Sequence, residues 1–280
     1  MLTRLEPIRD RVLDLAEPLA DAALLDIGSG DGLIGLGALN RVGPHGSVTF
    51  CDISVSLLEQ ARQAAQGVDK LDRARFVCAR AEDLVGVRDG SVNVATSRSV
   101  LIYIAEKQRV FHELSRVLAP DGRISLFEPI NRLMFPEPDE RFWGYDVSAV
   151  TDLAGKVKDA FNELEHADAV TLMDFDERDL FAMAQRAGFD SIHLELHRDL
   201  IPGRSLTEAR NLDTLLDSSP NPLAPTVREA VEQALSPDQQ ARFLSCLNQA
   251  LEQHDSQLRW AGAFLAAKKT TSPQPPRPRA

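Results

Sequence analysis

Residues 24–35, LLDIGSGDGLIG, constrain this chain more than any other stretch. Leu24, Leu25 and Ile27 make a short apolar run, the pattern of a buried parallel strand. It ends in Gly28-Ser29-Gly30-Asp31-Gly32, after which Leu33, Ile34, Leu36, Ala38 and Leu39 resume at helical spacing. Strand, glycine turn and helix open a nucleotide-binding βα unit, because glycines let the backbone turn tightly and approach a ligand closely. Asp26 is the odd residue of the run. A carboxylate there is costly to bury unless a cation or hydrogen-bond donors meet it.

A chain of 280 residues has room for one large α/β domain with an insertion or for two small domains. Residues 7–20 predict an amphipathic helix through Ile8, Val12, Leu15, Ala16 and Leu19, placed to cover the cofactor edge. Thr3 and Glu6 suit a capping box before it, and Pro7 suits its first turn. Residues 47–51 predict a second strand, ending at Asp52. An acid about 20 residues past the glycines holds a ribose diol in such folds. The competing role for Asp52 is to cap, with Ser54, the helix predicted over 55–65. Residues 75–78 predict a third strand, followed by Ala81-Glu82-Asp83. These carboxylates either accept from an adenine amino group or stand in a solvated acidic loop. A fourth strand over 91–97 brings Ser97, Arg98, Ser99 and Tyr103 to its carboxyl end, where open α/β sheets bind ligands. A helix over 106–118, a turn over 119–122 and a fifth strand over 123–127 follow, running into Glu128 and Arg132.

Met134, Phe135, Phe142, Trp143 and Tyr145 then give an aromatic-rich loop, suited to a lid, to substrate recognition or to plain packing. A helix opens at 175 and stops at Gly188, and residues 190–197 alternate as a half-buried strand. Residues 200–257 read mostly as helices, with Ser236-Pro237-Asp238-Gln239 as a capping box. Residues 258–268 predict a last strand, although their alanines also permit a helix. The expected division is a main domain over 1–199 with 258–269, a helical insertion over 200–257 and a disordered tail over 270–280. The insertion suits a lid, a substrate element or a dimer surface. The PPRPR of the tail either meets a proline-recognising domain or is solvated. His193, Glu195 and His197 share one strand face, and either ligate a metal or form an ordinary polar face; no metal is expected.

Composition excludes several classes. The net charge of −11 disfavours a general nucleic-acid binder. No apolar run approaches the roughly 20 residues of a membrane span, and MLTRLEPIRD is too charged for the apolar region of a signal peptide. Cys51, Cys78 and Cys246 offer no CxxC spacing, and a reducing cytoplasm is the expected location.

Two frames of the glycine stretch compete. Residues 30–35 match G-x-G-x-x-G, the fingerprint of an NAD-dependent oxidoreductase, but this match starts late relative to the strand end. The better frame is Asp26-x-Gly28-x-Gly30-x-Gly32, with an acid that a pyrophosphate does not want and a cationic amino-acid end does. S-adenosylmethionine carries an ammonium, a sulfonium, a ribose diol and an adenine. Asp26 with the glycine loop, Asp52, and Ala81-Glu82-Asp83 meet those groups in that order.

With these motifs in place, the chain resembles the class I S-adenosylmethionine-dependent methyltransferases of the ubiquinone-biosynthesis type. The resemblance covers residues 22–130: LLDIGSGDG, VTFCDIS, ARAEDL, SVNVATSRSVLIYI and RVLAPDGRISLFEP. It implies a Rossmann-like, doubly wound seven-stranded sheet, mostly parallel with an antiparallel last strand; residues 190–197 and 258–268 fit its final hairpin. By resemblance Asp26, Gly28, Ser29 and Gly30 lie at the methionine end, Asp52 and Ile53 at the ribose, Ala81, Glu82 and Asp83 at the adenine, and Ser97 near the sulfonium. Asn93 departs from the family's usual acid, and the connection before the last strand is longer than its usual turn. A general base is needed only for a protonated acceptor; Glu128, Tyr103, His112 and Tyr145 are candidates. Arg98 and Arg132 either hold a substrate carboxylate or make surface salt bridges. The expected function is methyl transfer to a small molecule, in secondary metabolism. A peptide or protein acceptor, an NAD-dependent oxidoreductase and a cofactor sensor without turnover are the alternatives, and a homodimer is possible.

Overall fold

The structure, a computed structural model, describes residues 2–164, 167–207, 209–220 and 224–269. The apolar run around Asp26 becomes β1 (Ala23–Ile27), buried from Leu24 onward. It pairs in parallel with β2 (Ser47–Asp52) and β4 (Val92–Arg98), with Leu25 opposite Thr49 on one side and Ala95 on the other. β3 (Ala74–Cys78) extends the sheet beyond β2, and β5 (Leu118–Pro129) beyond β4. With β8 (Phe189–Pro202) and β9 (Gln257–Lys269), the seven-stranded order is β3-β2-β1-β4-β5-β9-β8, with the last strand antiparallel. The order reverses direction between β1 and β4, the switch point outside which such sheets bind ligands.

Contacts group the chain into two compact units, residues 1–129, 175–196 and 263 onward, and residues 130–174 with 197–262. This differs from the expected division at 199 and 258: the 130–174 segment groups with the helices that follow residue 200. The first unit carries α1 (Leu2–Leu15), α2 (Leu33–Leu39), α3 (Val55–Gly67), α4 (Lys107–Val117) and α6 (Glu177–Arg186). α4 buries Val110, Phe111, Leu114 and Val117 as one stripe. α6 starts on a capping box between Asp176 and Asp179, and the chain leaves it through Gly188 at φ +85°.

Two expectations change in this unit, the course of the first helix and the turn over 119–122. α1 begins at Leu2, so Pro7 lies inside it, and it ends at Leu15 rather than 20 because Pro18 disfavours helical backbone at the residue before it. The capping box expected of Thr3 rests on a side chain outside the described residues. Residues 119–122 form a bulge within β5: Val92 pairs with Leu118 but Val94 pairs with Arg123, and Asp121 takes φ +61°. The last segment is a strand despite its alanines, and it buries Ala261, Ala263, Phe264, Leu265 and Ala267. The tail over 270–280 lies outside the described residues.

The second unit is built on aromatic packing. β6 (Arg141–Phe142) and β7 (Tyr145–Asp146) form a hairpin whose central residues, Trp143 and Gly144, take φ +53° and +89°. Positive φ at both central residues matches the right-handed twist of paired strands. Phe142, Trp143 and Tyr145 are buried with residues of α5 (Thr151–Leu164), α7 (Leu212–Leu216), α8 (Val227–Ala234) and α9 (Pro237–Glu252). Phe142 meets the Phe243 ring edge-on at 5.3 Å. Of the roles open to this aromatic segment, its buried rings therefore take packing.

Candidate functional site

Gly28, Gly30 and Gly32 all take left-handed backbone, at φ +60°, +54° and +100°. A Cβ on Gly28 would stand 2.1 Å from Val100 Cγ2, so the turn closes only without a side chain there. The frame that starts at Asp26 is thus the one that shapes the turn. Gly35, the last glycine of the competing frame, sits inside α2, where a Cβ would meet the Phe50 ring at 2.2 Å.

Asp26 is fully buried and met by donors from the fold. Its Oδ2 accepts the Gly35 N–H at 2.9 Å and its Oδ1 accepts the Thr96 hydroxyl at 2.9 Å. Burial raises its pKa to about 7, with both bonds opposing. Gly35 is in the first turn of α2, so Asp26 satisfies an amide that the helix itself leaves unpaired. The sequence placed this acid against the cationic end of the cofactor; the structure gives both its oxygens to ordering the turn. Asp52 ties the same turn to β2: Oδ2 accepts the Gly30 N–H at 2.9 Å and Oδ1 the Ser54 N–H at 2.8 Å. Ser54, not Asp52, caps α3, by accepting the Leu57 N–H at 3.3 Å. A carboxylate has about four acceptor positions, so Asp52 keeps capacity for a ribose diol.

The remaining candidates divide. Ile53 stands 69% exposed beside Asp52, Ala81 is buried and Asp83 exposed. Glu82 is already paired, accepting from Arg80 Nε at 2.8 Å. Ser29 and Ser97 are buried, and neither hydroxyl has a hydrogen-bond partner among the described residues. A buried polar atom without a partner costs about 1–3 kcal/mol, and a polar ligand relieves that. Glycine-turn amides, two orphaned hydroxyls, an acid with spare acceptor capacity and an exposed apolar side chain fit S-adenosylmethionine.

Glu128, at the end of β5, is the residue whose role was hidden. It is fully buried, and it accepts the amides of Val100, Leu101 and Ile102 at 2.9, 3.1 and 3.4 Å. Burial raises its pKa to about 7 against those three bonds. Ser99, at φ +56°, donates its N–H to the Phe127 carbonyl at 2.9 Å. The turn leaving β4 is therefore clamped to the end of β5, with Val100 packed on Gly28. Expected as a general base, Glu128 instead has its oxygens engaged with this turn. Tyr103, on the same turn, is 48% exposed, and burial and the Glu128 charge raise its phenol pKa.

The other three candidates have surroundings of their own. His112 is on the exposed side of α4, 3.3 Å from Gln108. Tyr145 is in the core of the second unit, its oxygen accepting from Ser205 Oγ at 2.9 Å. Arg132, also in the second unit, is exposed and donates to the Met173 carbonyl at 2.7 Å. His193 contacts Glu195 at 2.9 Å, and Arg11 Nε donates to the same Glu195 at 3.0 Å. Among the described residues no group of three His, Cys, Asp or Glu side chains is placed to hold a metal.

Known proteins agree with this geometry. A family model described as a methyltransferase domain matches residues 25–126. An arsenite methyltransferase of Halobacterium salinarum is 32% identical over 192 residues, which is 66% of this chain and 43% of that one. The nocamycin O-methyltransferase of Saccharothrix syringae is 31% identical over 202 residues, covering 69% of this chain and 68% of its own. A candidate methyltransferase of Bacillus halodurans C-125, solved by crystallography, shares the fold at a TM-score of 0.56 and 15% identity, over 94% of this chain and 99% of that one. The chain belongs to the class I S-adenosylmethionine-dependent methyltransferases.

Proposed function

We propose that this enzyme methylates a small-molecule acceptor of secondary metabolism in a site that closes over the reactants. The helical segment 200–257 would contribute its acceptor-specific element. The observation that carries the cofactor half of this reading is the pair of orphaned hydroxyls, Ser29 and Ser97, at the carboxyl ends of β1 and β4. The acceptor half is supported by the relatives, which are named for arsenite and for nocamycin. Their acceptors differ, so the fold does not fix the acceptor atom.

The cofactor, when bound, supplies a methyl group already activated on a sulfonium. Methyl transfer then asks the protein for alignment and for exclusion of water. Asp26 and Asp52 fix the glycine turn; Asp52 takes the ribose diol and Ile53 offers apolar area to the adenine. Asp83, and Glu82 by exchanging its Arg80 bond, lie where an adenine amino group needs an acceptor. Glu128 acts at one remove, holding the turn that carries Val100 and Tyr103. Tyr103 keeps its proton at neutral pH and serves as a hydrogen-bond donor. The test is turnover: the protein with S-adenosylmethionine and a panel of hydroxylated and amino-bearing small molecules should release S-adenosylhomocysteine. Binding of cofactor with no product from any small molecule, but label incorporated into a polypeptide, would refute the small-molecule reading.

A further inference from the structure

Ten arginines of the described chain are half-buried. Nine of them have a partner. Six meet carboxylates, as Arg9 does Asp10, Arg41 does Asp14 and Arg228 does Asp217, and Arg73, Arg123 and Arg259 donate to backbone carbonyls. Arg98 alone has neither an ion pair nor a hydrogen bond among the described residues. This is notable in a chain with 42 acidic and 31 basic residues, where carboxylates are in excess. A guanidinium has five donors in a planar fork and cannot shed its charge, so partial burial without an acceptor is unfavourable.

Its place adds the second part of the argument. Arg98 is the last residue of β4, at the switch-point end of the sheet. Its charge acts on both Asp26 and Tyr103, so it stands within the site's own field. Asp26 accepts from Gly35 and Thr96, and no ion pair or hydrogen bond joins it to Arg98. The turn that follows Arg98 is held by Glu128 and by Ser99, which fixes where the guanidinium starts from.

We propose that Arg98 is a specificity-determining anchor for a carboxylate on the methyl acceptor, so that the substrates of this enzyme are small organic acids methylated at an atom near their carboxyl group. This rests on the methyltransferase reading and narrows it. An acidic protein repels anions over most of its surface, and an acid substrate needs one local cation to be held. The fork of a guanidinium binds a carboxylate with two parallel hydrogen bonds, which fixes direction as well as position.

The carboxylate could instead be the one carried by the methionine end of the cofactor, and the test separates the two. Wild-type, Arg98→Gln and Arg98→Lys proteins are titrated calorimetrically with S-adenosylhomocysteine. Each loaded protein is then titrated with matched pairs of hydroxy- or amino-bearing carboxylic acids and their carboxamides. The expected result is a preference for acid over amide of roughly 10-fold or more in the wild type. Arg98→Gln should lose it and Arg98→Lys should recover part of it, with S-adenosylhomocysteine affinity within about 2-fold throughout. Acids that bind no better than amides, no binding by any acid, or a preference that survives in Arg98→Gln would overturn the proposal. A fall of roughly 10-fold or more in S-adenosylhomocysteine affinity in Arg98→Gln would assign the anchor to the cofactor and overturn it too. Failure of the wild type to bind S-adenosylhomocysteine would defeat the methyltransferase reading itself, and this proposal with it.

Discussion

The two units bury different things. Of the nine buried polar or charged residues among those described, eight lie in the first unit: Asp26, Ser29, Thr96, Ser97, Lys107, Ser125, Glu128 and Asp176. The second unit contributes Ser205, and otherwise fills its core with Phe142, Trp143, Val157, Leu215, Val231, Phe243 and Leu247. Apolar burial stabilises without direction, whereas a buried polar group is unfavourable unless its partners are in place. The first unit accepts that penalty at the carboxyl ends of its strands, where a ligand has to be oriented. Among the described residues the second unit has no such cluster, and its core is apolar packing.

The largest effect should therefore come from the second unit's aromatic centre. Phe243→Ala is expected to destabilise by about 3–5 kcal/mol, seen in thermal or denaturant unfolding, with S-adenosylhomocysteine affinity of the folded protein nearly unchanged. Loss of cofactor binding in folded Phe243→Ala would break the contrast. Gly28→Ala should do the reverse. Positive φ and the Val100 clash together imply about 2–3 kcal/mol of strain and a site that no longer binds cofactor. Adding Val100→Ala removes the clash but leaves the left-handed backbone, so calorimetry should show only partial recovery.

A smaller effect is expected from pH. Asp26 and Glu128 have folded-state pKa values of about 7, above their ordinary values of 3.8 and 4.5. The folded protein then holds protons that the unfolded chain has released. The stability this supplies is complete below about pH 4 and is lost as pH rises through about 7. Glu128→Gln cannot ionise, so its melting temperature should gain on that of the wild type between about pH 5 and pH 8. A difference that stays constant with pH would show that Glu128 does not titrate there. The smallest change should follow His193→Ala, on an exposed strand face. It should shift stability by less than about 0.5 kcal/mol, and a chelator should not alter the melting temperature of either protein.

How much was legible follows the same division. The first unit is written in local signals: an apolar run, a glycine turn and an acid at the end of β2. Each acts over a few residues, so each shows in the sequence. The partner of a buried acid does not. Glu128 and the three amides it holds are about 26–28 residues apart, and only the sheet brings them together. Asp26 was visible as an anomaly, but its donors, Thr96 and Gly35, were not. In the second unit Phe142, Trp143 and Tyr145 read as part of a loop, because the core that buries them is assembled from α5 and from helices beyond residue 210. Tyr145 is a candidate base in the sequence, and the structure buries it in that core.

The most direct test is calorimetric titration of the wild type and Asp52→Ala with S-adenosylmethionine, S-adenosylhomocysteine and NAD. Asp52 holds the Gly30 amide and retains acceptors for a ribose, so its loss should weaken both adenosyl ligands by roughly 100-fold while the fold survives. The wild type should bind those two ligands, Asp52→Ala should bind both far more weakly, and NAD should give no heat. Binding of NAD alone, or adenosyl binding that is unchanged in Asp52→Ala, would contradict it.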